Sequence, residues 1–404
     1  MIKKIFIILI ITIISLHTYS FANDLNLNCD SAILIEASSG KILYSKDAEK
    51  KLYPASLTKI LTAILVIENC DLSDIATVSY TSISSITSDY VTASLQLGEQ
   101  LTIEQLLNIL LIHSANDVAN VLAEHIAGSI ESFSTMMNTK AVELGCKNTN
   151  FVNPSGIHNI NHYSTAYDLA LIAKYAMNNE TFRSIVAKPN YSIPATNKYS
   201  GRAYTNYNEM IRNNNNSTGI KTGYTTLAGS CLAAAVKRED LELISIVLKC
   251  PRETKNMNYR YQDTETLMDF GFNNYTLTKI VSENTFIKQL NMPDENKTLD
   301  LYVKDNIYGL IKKNDNNENF ENNITLKNNL QIPIKKGEVV GTISYIVDGT
   351  TYSSELISGN NIYIPQNITI IYRMLLLVII LILFYWIISK KYKSKKTYFI
   401  NNIR

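Results

Sequence analysis

The sequence predicts an α+β fold: an antiparallel sheet packed with a helical cluster, followed by a small all-β domain and a C-terminal transmembrane helix. Three observations point there. Strand-like runs at Ala32–Glu36 and Thr218–Lys249 bracket a middle stretch of helical periodicity. From Thr276 to about Pro365 only short β-type runs remain, separated by Asn, Asp and Gly. Met374–Ser389 is then free of charge, and Ile368–Tyr372 extends it to membrane-spanning length.

The elements follow in order. "SAILIEASSGKILYSK" reads as a hairpin, with strands Ala32–Glu36 and Lys41–Tyr44 joined by a Ser/Gly turn. In "LYPASLTKILTAILVIEN", Leu57, Ile60, Leu61, Ile64 and Leu65 recur at helical spacing, so a helix begins near Ser56. "TIEQLLNILLIHSANDVANVLAEHIAG" opens on Thr102 and Gln105 as a capping box, and a second helix follows from Asp117. "ESFSTMMNTKAVELG" is a helix closed by Gly145, and Thr165 with Asp168 starts the next. "TGIKTGY", "SCLAAAVKR" and "LELISIVLK" are strands joined by short turns, as an antiparallel sheet requires. In the β region, "KKNDNNENFENN" is read as a solvated loop.

Composition and the two ends bound the setting. The chain has 404 residues and a net charge of +2, with its densest basic run confined to Ser389–Lys396, so it lacks the broad basic face of a nucleic-acid partner. Lys3 and Lys4 precede the apolar run Ile5–Leu16, and "SFAND" offers small residues before a cut near Ala22, the pattern of a cleaved secretory signal; an uncleaved anchor is the competing reading. At the other end Arg373 precedes the span, and Lys390, Lys391, Lys393, Lys395 and Lys396 follow it. The positive-inside rule makes that end cytoplasmic and everything before it outward-facing. A buried core helix would also fit an apolar segment, but its length, flanking lysines and Trp386 all stand against that. The five cysteines are scattered with no C-x-x-C pair, so they suggest neither a disulfide framework nor a zinc site.

The chemistry-bearing residues come in a fixed order. Ser56 and Lys59 lie three apart at a helix start, where such residues share one face; alone they read as a capping serine and a solvated lysine. A second S-x-x-K, Ser38–Lys41, falls in a turn with no helix behind it. What distinguishes Ser56 is its company: "SAN" at Ser114–Asn116, between two helices, and "KTG" at Lys221–Gly223, on a strand. Serine hydrolysis needs a nucleophile, a base, a proton path to the leaving amine, an oxyanion hole and a grip on the substrate, and these three motifs can supply most of them. His158 and His162 are four apart but in a turn-rich stretch, which argues against a metal pair, and His113 beside Ser114 has no acidic partner placed by sequence. No metal or cofactor is expected.

S-x-x-K with S-x-N and K-T-G is the signature of serine β-lactamases and penicillin-binding proteins. "PASLTKILTA", "HSANDVANVLAE", "MNTKAVELGCKNTNFVNPSG", "HYSTAYDLALIAKYA" and "GIKTGYTTLAGSCLAAA" resemble, in order and spacing, the D-alanyl-D-alanine carboxypeptidase group of low-molecular-mass penicillin-binding proteins, over roughly Asp30 to Phe272. The resemblance implies a β-lactamase/transpeptidase-like catalytic domain. It also implies that Ser56 is acylated, Lys59 is its base and Ser114 relays a proton, with Asn116, Lys221, Thr222, Gly223 and Arg260 as substrate contacts. The backbone N–H groups of Ser56 and Tyr224 would form the oxyanion hole. Ala115 and Tyr224 depart from residues common in the group, and neither change removes a reacting group.

The expected layout is therefore a signal (1–22), a catalytic domain (23–275), a small β-sandwich domain (276–367), a span (368–389) and a basic tail (390–404). Peptidoglycan stem peptides, β-lactams and the membrane are the expected partners. A β-lactamase is the rival within the fold, but no E-x-x-L-N lies between SAN and KTG to supply its deacylating glutamate. A D,D-endopeptidase and a catalytically idle penicillin-binding scaffold would carry the same three motifs.

Overall fold

The computed structural model describes residues 25–254, 257–292, 297–314, 320–328, 330–363 and 366–400, with backbone only at 366–369 and 392–400. The expected signal, residues 1–22, lies outside them. The chain divides into two compact units, Met1–Thr276 with Lys312–Asn314, and Leu277–Ile311 with Asp315–Arg404.

The first unit is built on a five-stranded antiparallel sheet. Its strands are β1 (Ser31–Glu36), β2 (Ile42–Lys46), β7 (Ser217–Thr225), β8 (Gly229–Arg238) and β9 (Leu241–Cys250), in the order β2-β1-β9-β8-β7. The first hairpin turns where the sequence places it. The buried Glu36 carboxylate closes the turn by accepting the backbone N–H groups of Ser38 (2.8 Å) and Ser39 (2.6 Å). All six residues of β1 are buried, because both faces of the sheet are covered. Ile33, Ile35, Ile244 and Ile246 join the main helical core, whereas Leu34 and Leu243 meet Gly271 of the helix Tyr259–Asn274 on the opposite face.

The helical layer holds the site. In the helix Lys59–Asn69 every residue from Lys59 to Val66 is buried, so it is a central helix of the layer rather than an amphipathic one. The helices Ile103–Ile112 and Asn116–Ala127 flank it within the same core. Thr102 forms the capping box with Gln105, and Thr165 caps the helix Ala166–Met177 by accepting the N–H of Asp168. Gly145 (φ +86°) follows the helix Ile130–Glu143. The hairpins β3 (Ile75–Thr77) with β4 (Gln100–Thr102) and β5 (Asn190–Ile193) with β6 (Arg202–Thr205) are too short for periodicity to reveal.

The second unit carries a five-stranded sheet, β11 (Phe286–Asn291), β12 (Thr298–Val303), β14 (Glu321–Leu326), β15 (Val339–Val347) and β16 (Thr350–Ser358), in the order β11-β12-β16-β15-β14. Strands β10 (Tyr275–Val281) and β13 (Ile307–Lys312) form a separate pair. Leu299, Leu301, Val303, Val340, Ile343 and Leu356 are at its core. One expectation is corrected here: Glu321, Asn322 and Asn323 of the Asn-rich piece are strand, not loop, paired with Ile346, Tyr345 and Ser344. Backbone pairing with β15 overrides the low strand propensity of asparagine, whose side chains stay in solvent. The last helix, Gln366–Ile400, contains a 22-residue apolar stretch, Ile370–Lys391, none of it buried within the protein.

The close seating of the helix Tyr259–Asn274 on the sheet depends on Gly271, where an added Cβ would come 2.4 Å from Leu243 Cδ1 and 2.9 Å from Leu34 Cδ2. Gly271→Ala is expected to lower stability by about 1 to 3 kcal/mol through overpacking, read as a lower urea midpoint at unchanged slope. An unchanged midpoint would mean that the two leucines rotate away freely.

Candidate active site

Ser56 sits on a short 3-10 turn, Ala55–Thr58, that leads directly into the helix beginning at Lys59. Ala55 has φ +47°, a conformation that costs a non-glycine residue energy and is held here by neighbours. Thr58 Oγ1 donates to the carbonyl of Ala55 at 2.8 Å, and Gly156 lies so close that a Cβ there would come within 1.8 Å of that oxygen. Ser56 is thus no helix cap: Pro54 holds that position, and the serine is left to face the cavity.

Lys59 is fully buried, not solvated. Its Nζ lies 2.9 Å from Ser56 Oγ, 2.8 Å from Asn116 Oδ1 and 2.7 Å from the carbonyl oxygen of Ser155. The Asn116 amide is oriented by its Nδ2, which donates to Val91 O at 2.9 Å. Two of the three partners of Lys59 are therefore pure acceptors. A neutral amine has two N–H groups for those acceptors and one lone pair, which must point at the Ser56 hydroxyl. Burial pushes the pKa of Lys59 well below its ordinary value and the positive charge of Lys221 pushes the same way, while the carboxylate of Asp117 opposes them.

Opposite Ser56 runs β7, one of the two edge strands of the sheet. A Cβ at Gly223 would lie 3.1 Å from Ser56 N and 3.2 Å from Pro54 O, so glycine is what lets the strand pass alongside the serine. Lys221 is also buried, its Nζ donating to Thr222 O at 3.1 Å; burial and then Arg260 bring its pKa down to about 7. Ser114, with φ +64°, and Asn116 stand at the junction of two helices and face the same cavity. That cavity, of about 310 Å³, is lined by Ser56, Ser114, Asn116, Thr222, Gly223, Tyr224 and Arg260 among others. Every sequence-predicted residue except the two lysines is in its lining, and both lysines lie directly behind it. Arg260, in the first turn of the helix Tyr259–Asn274, is paired with Glu253 at 2.5 Å.

Several groups that shape the site carry no mark in the sequence. The Ser155 carbonyl comes from the "NPSG" turn, whose role as an acceptor cannot be seen in residue type. Asp117 accepts the N–H groups of Ala93 (2.9 Å) and Leu95 (3.2 Å), and so pins the segment whose Val91 orients Asn116. His158 packs edge-on against Tyr53. His113 stacks on Tyr207. His162 is buried with Nε2 2.8 Å from Thr58 Oγ1. Since that hydroxyl donates to Ala55 O, Nε2 carries the hydrogen and Nδ1 is left to accept from Val152 N at 3.2 Å. His162 thereby joins the turn bearing Ser56 to the segment bearing Ser155.

A serine at a cavity, bonded to a buried lysine and facing a K-T-G edge strand, defines a serine acyl-transfer centre of the penicillin-binding class. The chain belongs to the D-alanyl-D-alanine carboxypeptidase family, whose model matches residues 18–252, and residues 275–367 match the C-terminal domain of penicillin-binding protein 5. It is similar to the D-alanyl-D-alanine carboxypeptidase DacF of Bacillus subtilis, 34% identical over 79% of this chain and 82% of the relative. It is also similar to DacC of Escherichia coli, 32% identical over 78% of this chain and 80% of that one. Among solved structures, penicillin-binding protein 5 of Haemophilus influenzae superposes with a TM-score of 0.67 at 27% identity, over 84% of this chain and 99% of that one.

Burial lowers the His162 pKa from 6.5 to about 3. The unfolded chain therefore binds a proton between these values that the folded chain refuses, so this residue's contribution weakens stability as pH falls from 6.5 towards 3, by up to about 1.4 kcal/mol per pH unit. Urea midpoints measured from pH 6.5 down to 4 should fall more steeply for the wild type than for His162→Asn. Parallel slopes would show that His162 is protonated in the folded protein.

Proposed function

We propose that Ser56, Lys59 and Ser114 perform the D-alanyl-D-alanine carboxypeptidase reaction of the family, releasing the terminal D-alanine of peptidoglycan stem pentapeptides through a Ser56 acyl-enzyme. The observation that carries the proposal is the three-way bonding of Lys59 Nζ, which leaves a neutral amine only one use for its lone pair, the proton of Ser56. As that proton moves to Lys59, Oγ attacks the carbonyl carbon of the penultimate D-alanine. The oxygen of that carbonyl gathers negative charge between the backbone N–H groups of Ser56 and Tyr224. The C–N bond then breaks, the leaving amine takes a proton through Ser114, and free D-alanine departs. Water next cleaves the ester, its proton passing to Lys59 and one returning to Ser56.

Binding follows the same charge logic. Lys221, Thr222 and Arg260 hold the terminal carboxylate, for which a guanidinium fork and an ammonium are suited. Below about pH 7 Lys221 keeps its charge, which both attracts the carboxylate and favours neutral Lys59. Asn116 holds the substrate backbone as well as Lys59. A penicillin, with its carboxylate and strained amide, acylates Ser56 by the same route. The family assignment favours this reaction over a β-lactamase or an idle scaffold.

The test is direct. Incubated with a peptide ending in D-Ala-D-Ala, the wild type should release free D-alanine and form a covalent adduct with fluorescent penicillin, and Ser56→Ala should do neither. Lys59→Arg puts in its place a guanidinium that cannot be deprotonated, so acylation should fall by about 10³-fold or more while noncovalent binding of a substrate-like inhibitor persists. Acylation of Lys59→Arg near the wild-type rate would move the base elsewhere, and labelling of Ser56→Ala would move the nucleophile.

In the cell, the reading is of an enzyme anchored by 368–389, with the signal 1–22 removed near Ala22, the tail 390–404 cytoplasmic, and the catalytic (23–275) and β-sandwich (276–367) domains outside. The 22-residue span Ile370–Lys391, which ends on Lys390 and Lys391 and is followed by Lys393, Lys395 and Lys396 in the sequence, supports it. Deleting Met374–Arg404 should release active enzyme from the membrane fraction. A truncated enzyme that still sediments with membranes would indicate an uncleaved signal.

A further inference from the structure

The fold brings together two cysteines that the sequence keeps far apart. Cys29 lies two residues before β1, and Cys250 is the last residue of β9. These strands pair antiparallel as far as Ser31↔Leu248, and just beyond that end, where Lys249 (φ +55°) breaks the regular ladder, Cys29 and Cys250 come side by side. Their sulfurs are within 4.8 Å of each other and of an Asp263 carboxylate oxygen. Both residues are 1% exposed, and the reaction uses neither. A disulfide holds its sulfurs about 2.0 Å apart, so the two side chains must approach one another to close it.

The surroundings favour thiol chemistry over a metal. Asp263 is already occupied, accepting Cys29 N–H on Oδ2 (2.7 Å) and both Asn28 N–H (3.0 Å) and Asn28 Nδ2 (2.9 Å) on Oδ1. Two sulfurs and this carboxylate are also one ligand short of a closed tetrahedral zinc site. The hydrogen bonds to Asp263 fix Cys29 in position beside Cys250. Cys231, the other buried cysteine on this sheet, points elsewhere, towards Ala228 O at 3.7 Å and Tyr53 O at 3.9 Å.

We propose that Cys29 and Cys250 are joined as a disulfide while the exported chain folds. This rests on the outward-facing topology proposed above, which places both thiols where a small-molecule disulfide can serve as oxidant. The Cys29 thiolate attacks that disulfide and displaces one small thiol; the Cys250 thiolate then attacks the Cys29 sulfur and displaces the second. Two electrons pass from the protein thiols to the small disulfide, and the two protons end on the released thiols. Once the sheet is closed the route is shut: hydrogen bonding to Cys29, burial and Asp263 hold the Cys250 thiol far above its usual pKa, so no thiolate forms. The bridge fastens the first strand to the end of β9, from which the chain runs on to the helix carrying Arg260.

The order of events gives the test. Full-length protein in detergent is reduced, unfolded and refolded with oxidised and reduced glutathione, or folded first under reductant and only then given the same glutathione mixture. Free thiols are blocked and tryptic peptides analysed by mass spectrometry. A Cys29–Cys250 peptide should appear in the first sample and not in the second. Cys29→Ser should lose it while releasing D-alanine at the wild-type rate. Free Cys29 and Cys250 after oxidative refolding, or a bridge through Cys231, would overturn the pairing. Protein from cell membranes, blocked at lysis, should carry the bridge; if it is reduced although refolding forms the bridge, the outward topology fails and the pairing geometry stands.

Discussion

A primary amine stripped of water lies at the centre of this protein. Lys59 is wholly buried, and its Nζ is bracketed by Asn116 Oδ1, Ser155 O and Ser56 Oγ. An ammonium in that position is penalised by desolvation and by the positive charge of Lys221, whereas a neutral amine satisfies every neighbour. The arrangement favours the neutral amine in a residue that in water would be a cation. It also explains why the surroundings are so heavily braced, because each acceptor must be held where the lone pair has one direction left.

The bracing comes from three separate parts of the chain. Asp117 ties down the segment around Ala93 and Leu95, whose neighbour Val91 orients the Asn116 amide. The Thr58–His162 contact joins the turn of Ser56 to the turn of Ser155, and it works because the imidazole is neutral with its hydrogen on Nε2. Gly156 allows the two turns to touch. Backbone strain at Ala55 and Ser114, both with positive φ, marks the places where the helical layer gives up local comfort to aim a side chain.

The sheet supplies the other wall. Four of its strands are interior or tied to the hairpin, and the fifth, β7, presents an edge to the serine. An exposed edge is normally a liability, but here it is the surface along which an extended peptide can lie, with glycine at the point of closest approach. Covering the sheet on both faces, by the main helical core and by the helix Tyr259–Asn274, keeps that edge fixed relative to Ser56.

Much of this is written in the sequence because it is local. Caps at Thr102 and Thr165, the first hairpin, the three late strands and the apolar terminal stretch each depend on a few neighbouring residues. The order of SxxK, SAN and KTG is legible because it marks the family to which the chain belongs. Tertiary structure alone decided what surrounds them. Periodicity reads Ser56 as a cap and Lys59 as solvated, and only packing buries the lysine and frees the serine. A carbonyl such as that of Ser155 has no signature in residue type, and Asn323 is strand only because β15 lies beside it. Cys29 and Cys250 look unrelated until the pairing of β1 with β9 brings their sulfurs near each other. Sequence specifies which groups are available and their local conformation; distance and desolvation, which set a proton affinity or bring two sulfurs together, arise only when remote segments pack.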